Sequence, residues 1–126
     1  MKRLELINKI IIRKKELNIT VENFAKLSGV GVRTINRLLK NEDVKLSTIE
    51  SVTNFLGLDF AGNESIPLKE LKKQRAKEKA LFLASIVQGT SALEMQGLED
   101  DSLNSIIANY ENEFLNGSYQ DTLWVA

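Results

Sequence analysis

Arg33, Asn36 and Arg37 stand three and four residues apart, which puts them on one side of a helix if the segment around them is helical. They follow a second short segment across a glycine-containing step, in the run Thr20 to Asn41, TVENFAKLSGVGVRTINRLLKN. The chemistry on offer is hydrogen bonding to planar partners. A guanidinium suits the O6 and N7 acceptors of guanine, and a carboxamide suits adenine. Two short helices around a tight glycine turn, with such groups on the second, form the layout of a DNA-reading helix-turn-helix.

Other chemistry is sparse. The 126 residues contain no cysteine and no histidine. That removes disulfides, thiolate metal sites and the commonest general base. Glu99, Asp100 and Asp101 cluster where a helix should begin, and the helix macrodipole alone accounts for acids there. No glycine-rich phosphate loop is present. No catalytic residue, metal site or cofactor is therefore expected, and an enzyme is not the reading. No apolar run nears the roughly 20 residues of a membrane span. The N-terminal MKRLELINKIIIRKKEL is broken by Glu5, Asn8 and Lys9 and has helical spacing, unlike a signal peptide. A cytoplasmic location is expected.

The elements that must hold Arg33, Asn36 and Arg37 are legible from apolar spacing and end signals. Leu4, Ile7, Ile11 and Leu17 outline a first helix over residues 2–17, with Ile10 and Ile12 widening the stripe, and Asn18 can take the left-handed conformation that ends it. Thr20 is an N-cap for a helix from Val21 to about Ser28, whose buried face includes Phe24 and Ala25. Gly29 permits the positive φ of the turn. Gly31 caps a helix from Val32 to about Lys40, held to the core by Ile35 and Leu38. Ser47 and Glu50 have capping-box spacing for a fourth helix ending at Gly57.

The segment FAKLSGVGVRTINRLL resembles the XRE (Cro-like repressor) family, and LSTIESVTNFLGL is similar to that family's usual fourth helix. The resemblance spans roughly residues 4–58. It implies that Val32, Arg33, Asn36 and Arg37 face base edges, Val32 suiting a thymine methyl. It also implies phosphate contacts from Thr20 and, after the recognition helix, Lys40 and Lys45. Two positions depart from the pattern: Val21 replaces a residue that is often polar, and Gly31 replaces the usual Ser or Thr cap. XRE repressors generally bind two half-sites as dimers, so a homodimer on double-stranded operator DNA is expected.

The second half differs. The chain is formally neutral, yet residues 1–60 hold 11 Lys/Arg and 7 Asp/Glu, residues 61–81 hold 6 and 3, and residues 82–126 hold none and 7. DNA would repel that acid-only part, so its partner is more plausibly protein. Pro67 suits the first turn of a helix from Leu68 to Gln88. Leu103, Ile106, Ile107, Tyr110 and Phe114 stripe a last helix over 102–116. The basic run Lys69, Lys72, Lys73, Arg75, Lys77 and Lys79 reads as a solvated face. The expected architecture is all-α: a helix-turn-helix domain of about five helices over residues 1–62, then a helical extension over 63–126 for dimerisation or partner binding.

In layout the chain resembles the antitoxin repressors of Hip-type kinase modules, which implies autorepression of an operon and toxin binding through the C-terminal half. A fainter likeness, in Thr90 and Glu94, is to antitoxins of Fic-type enzymes. There Met95 stands in place of the small residue of their inhibitory motif. Leu123 and Trp124 are the expected partner anchors, since a tryptophan carries a large apolar area; the alternative is that Trp124 folds back onto the protein's own core or its dimer mate. The alternatives are a protein-interaction adaptor or toxin inhibitor with weak DNA binding, and a phage-type repressor without a toxin.

Overall fold

The computed structural model describes residues 2–89 and 101–126, and these are all-helical, with one isolated antiparallel bridge between Leu58 and Glu64. Six helices follow in order: α1 (Arg3–Leu17), α2 (Val21–Ser28), α3 (Val32–Leu39), α4 (Leu46–Leu56), α5 (Leu68–Gln88) and α6 (Asp101–Asn116), with a 3-10 turn at Gln120–Thr122. Four of these helices precede residue 62 and two follow it.

Local chemistry sets the boundaries. Asn18 adopts φ 53°, and its N–H closes the end of α1 on the carbonyls of Lys14 and Lys15. The Thr20 hydroxyl accepts the Asn23 N–H at 3.2 Å, satisfying an orphan donor of α2. Gly29 and Gly57 end α2 and α4 at φ 74° and 68°, in the left-handed region. The expected capping box of α4 does not form. Backbone bonds from Thr48 and Ile49 to the Lys45 carbonyl start the helix at Leu46, so Ser47 lies inside its first turn rather than at the cap.

The chain divides into two compact units: residues up to Leu71 together with Trp124–Ala126, and Lys72–Leu123. The first unit thus extends beyond residue 62 and takes in the last three residues. Its core is Ile7, Ile10, Phe24, Ile35, Leu38, Val52 and Leu56, each no more than 2% exposed. Burial of each such side chain stabilises by about 1.5–3 kcal/mol before entropy is counted. The face of α1 differs from the expected stripe, since Leu4 and Ile12 are exposed and Arg13 is buried. Arg13 Nε donates to the Leu56 carbonyl (2.8 Å), Nη1 to Glu64 Oε2 (2.7 Å) and Nη2 to the Ile66 carbonyl (2.5 Å). One guanidinium so ties α1, the end of α4 and the following loop. Within that loop, Asp59 Oδ1 accepts the N–H groups of Ala61 and Asn63, and Lys9 Nζ donates to Asn63 Oδ1. This is why residues 63–71 belong with the helices before them.

In the second unit, Ala80, Leu81 and Ala84 of α5 pack on Leu103 and Ile107 of α6, with Tyr110 against them. Arg75 Nε donates to the Leu123 carbonyl and Lys79 Nζ to the Thr122 carbonyl. Burial, and then the Arg75 charge, lower the pKa of Lys79. After α6, the Glu113 carboxylate accepts both the N–H and the hydroxyl of Ser118, and these bonds hold its pKa below the ordinary value.

Candidate nucleic-acid interface

The turn Gly29–Gly31 aims α3 so that Ile35 and Leu38 enter the core, while Val32, Arg33, Asn36 and Arg37 stay exposed on the outer side. With 3.6 residues per turn the two sets cannot share a face. Val32 is 41% exposed, enough to offer its methyl groups to a partner. Among the described residues, neither the Arg33 nor the Asn36 side chain has a hydrogen-bond partner, so both donor sets are available. Arg37 is different. Its Nη2 donates to the Asp43 carbonyl at 2.8 Å, which fixes its guanidinium against the loop that leaves α3. Arg3 bonds the same loop, at Asp43 Oδ1 and the Glu42 carbonyl. The loop is therefore held at both sides by arginines.

A groove of about 610 Å³ runs beside α3, lined among others by Gly31, Thr34, Arg37, Lys45, Thr48 and Ser51. Lys45 is also the residue from which α4 starts, and Ser47 and Thr48 occupy that helix's first turn. Hydroxyls, a lysine and the free N–H groups of a helix start are the donors that phosphate oxygens take. Thr20, Lys40 and Lys45 are all exposed, Thr20 capping α2 and Lys40 ending α3. The Thr20 oxygen already accepts from Asn23, which leaves its O–H free to donate outward. Thr34, Thr48 and Ser51, which are not among the expected contacts, line the same groove. Ser47, Thr48 and Ser51 follow Lys45 closely in the sequence, whereas Thr34 reaches the groove from α3.

Leu123 and Trp124 require a correction as partner anchors, because they are 5% and 8% exposed and packed within the protein. The Trp124 ring stands edge-on to Phe55, with centroids 5.7 Å apart and planes at 81°, and Phe55 in turn meets Phe24 at 5.6 Å. Beyond it, the Ala126 N–H donates to Asn23 Oδ1 on α2. Thr90, Glu94 and Met95, with the acids Glu99 and Asp100, lie outside the described residues.

No group of three or more His, Cys, Asp or Glu able to hold a metal ion occurs among the described residues, and none of their helices is long and apolar enough to cross a membrane. Residues 10–63 match a family model described as Helix-turn-helix. No curated protein and no solved structure matches the chain. The family match supports the XRE type for this segment, and with it a DNA-binding regulator of transcription.

Proposed function

We propose that this protein is a sequence-specific, dimeric repressor of its own operon, with Arg33 and Asn36 as its principal base readers and Val32 beside them. Arg37 reads in part and braces the Asp43 loop in part. Thr20, Lys40 and Lys45 hold the phosphate backbone. The observation that carries this reading is the unengaged pair Arg33 and Asn36 on the outer side of α3. Groups that cannot be buried and are bound to nothing else are suited to an external partner.

Within that reading the protein is an antitoxin whose C-terminal half binds the toxin, a Hip-type kinase before a Fic-type enzyme. Support comes from the segment 82–126, which has seven acids and no base. With Leu123 and Trp124 packed inward, the toxin would meet acids of this segment, of which Asp121 is exposed and Glu111 and Glu113 are half-buried. Co-purification with the neighbouring gene's product tests this part. A complex that survives low salt but dissociates at high salt is expected for an acidic contact surface.

DNA binding is tested by mobility shift on the DNA upstream of the gene. Specific retention should fall steeply between about 50 and 200 mM salt as phosphate contacts release counterions. Arg33→Ala should weaken operator binding by about 1–3 kcal/mol and relax specificity at one base pair per half-site. Lys40→Ala should weaken operator and random DNA alike, since a phosphate contact reads no base. Loss of random-sequence binding in Arg33→Ala to the same degree as operator binding would remove it from the base-reading set. Absence of any specific shift, even at low salt, would favour an adaptor that keeps the fold.

A further inference from the structure

Among the described residues, Arg37 is the one candidate base reader whose side chain is bonded within the protein. Its Nη2 donates to the Asp43 carbonyl, and its own carbonyl accepts the Glu42 N–H at 2.9 Å. The loop after α3 thus closes back on the helix it leaves. Asn41 makes that return at φ 63°, in the left-handed region that asparagine tolerates. A guanidinium carries five N–H donors. One bond to Asp43 leaves enough of them for a bidentate contact to guanine, and it removes side-chain freedom that such a contact would otherwise have to freeze.

The loop is held in turn by Arg3, the first residue of α1. Its Nη1 donates to Asp43 Oδ1 and its Nη2 to the Glu42 carbonyl. Two nitrogens of one planar group so take acceptors on adjacent residues, which an ammonium cannot copy. The pair is exposed, the Asp43 side chain at 96%, and an exposed pair contributes little to stability. Its place says more. Glu42 and Asp43 stand between Lys40 and Lys45, and Asp43 lines the groove beside α3. A carboxylate at a phosphate-facing edge opposes binding unless it is neutralised. Arg3 neutralises Asp43 and fixes the peptide unit that joins it to Glu42.

We infer that Arg3 is a positioning residue for DNA reading: through the Glu42–Asp43 loop it orients the Arg37 guanidinium, and so sets base preference at the pair that Arg37 faces. Arg3 itself reads no base. The inference rests on the base-reading role proposed for α3.

The probe is duplex DNA enriched from a random-sequence pool by the full chain, with single base-pair substitutions then made in the enriched site. Arg37→Ala marks the pair that depends on Arg37. Arg3→Ala should reduce the preference at that same pair by roughly 3- to 10-fold, the effect of freeing a side chain that was held in its bound geometry. The preference marked by Arg33→Ala should remain, and urea unfolding should stay close to the parent. Arg3→Lys should recover only part of the loss. Asp43→Asn keeps the carbonyl that Arg37 uses and removes the charge that Arg3 uses. It should reduce the same preference, and adding it to Arg3→Ala should give no further loss, because the two act through one contact. Should Arg3→Ala fail to fold, Asp43→Asn decides alone. Unchanged preference at the Arg37 pair overturns the inference, as does an Arg37→Ala that marks no pair. So does a loss equal on all sequences with a salt slope shallower by about one, which would make Arg3 a phosphate contact. A parent chain that enriches no sequence sinks the base-reading role of α3 and this inference with it. Enrichment by the parent with unaltered preferences in Arg3→Ala sinks the inference alone.

Discussion

Trp124→Ala should lower the unfolding free energy of the helix-turn-helix unit by about 3–5 kcal/mol, the range for truncating a buried large aromatic to alanine. The ring is 8% exposed and forms one end of the stack Trp124–Phe55–Phe24, the last of which is fully buried in the core. Its removal opens a cavity beside Phe55 and forfeits an edge-to-face contact that adds about 0.5–1.5 kcal/mol to the area term. Trp124→Phe separates packing from polarity. Among the described residues, the indole N–H is buried without an acceptor, and an unsatisfied buried donor costs about 1–3 kcal/mol. Phenylalanine loses area but also loses that donor, so its stability should fall within about 1 kcal/mol of the parent by this offset. Urea unfolding followed by circular dichroism gives both values. An alanine variant as stable as the parent would show that residues 124–126 contribute nothing to the unit.

Arg13→Met should cost about 3 kcal/mol or more, although methionine preserves much of the stem's apolar contact. The guanidinium makes three hydrogen bonds, two of them to the main-chain carbonyls of Leu56 and Ile66. Bonds to a charged donor contribute about 1.5–3 kcal/mol each and do not add simply. The pair with Glu64 is the weaker part, because the glutamate is half exposed and solvent screens it. Arg13→Lys should recover only a fraction, since an ammonium cannot reproduce the planar three-way fork. Denaturation gives the size of the loss. Amide exchange gives its place: the N–H groups of Ser65 and Ile66, both bonded to the Gly57 carbonyl, should lose protection first. If protection is lost uniformly instead, Arg13 supports the whole unit rather than this loop.

These two residues also show where sequence reasoning succeeds and fails. The motif was legible because its signals are local. Thr20, Gly29 and Gly57 act through bonds to neighbours within a few positions, and the alternation of Ile35 and Leu38 with Arg33, Asn36 and Arg37 needs only the helical period. Arg13 was not legible. An arginine among Ile10, Ile11 and Leu17 reads as the polar edge of an amphipathic stripe, and only the carbonyls of Leu56 and Ile66, distant in sequence, make its burial favourable. Along the same helix Ile10 is buried as part of the widened stripe, whereas Leu4 and Ile12 are exposed. Ser47 failed for a smaller reason: a capping box needs Ser47 outside the helix, and the backbone bonds to Lys45 bring it in. For Trp124 the sequence shows that a large apolar ring needs cover, but not which surface provides it. At the candidate site, the exposed side of α3 that carries Arg33, Asn36 and Arg37 was visible in advance, whereas the hydroxyl-lined groove became visible only once α4 was placed beside α3.

The bond from Ala126 to Asn23 joins residues 103 apart along the chain. This has a kinetic consequence. The contacts of α1 to α4 are close in sequence and belong to the fast, low-contact-order class, while docking of Trp124–Ala126 waits on a long loop closure. The entropy of closing a flexible loop of that length is about 4 kcal/mol by the logarithmic rule, and it falls sharply once α5 and α6 have paired and shortened the free path. Folding should therefore resolve into two phases with the same protein and one tryptophan. Far-ultraviolet dichroism should rise first, and indole fluorescence should change later, when Trp124 reaches Phe55. Substitutions at Leu103 or Ile107, which sit in the other unit, should slow the second phase and leave the first unaltered.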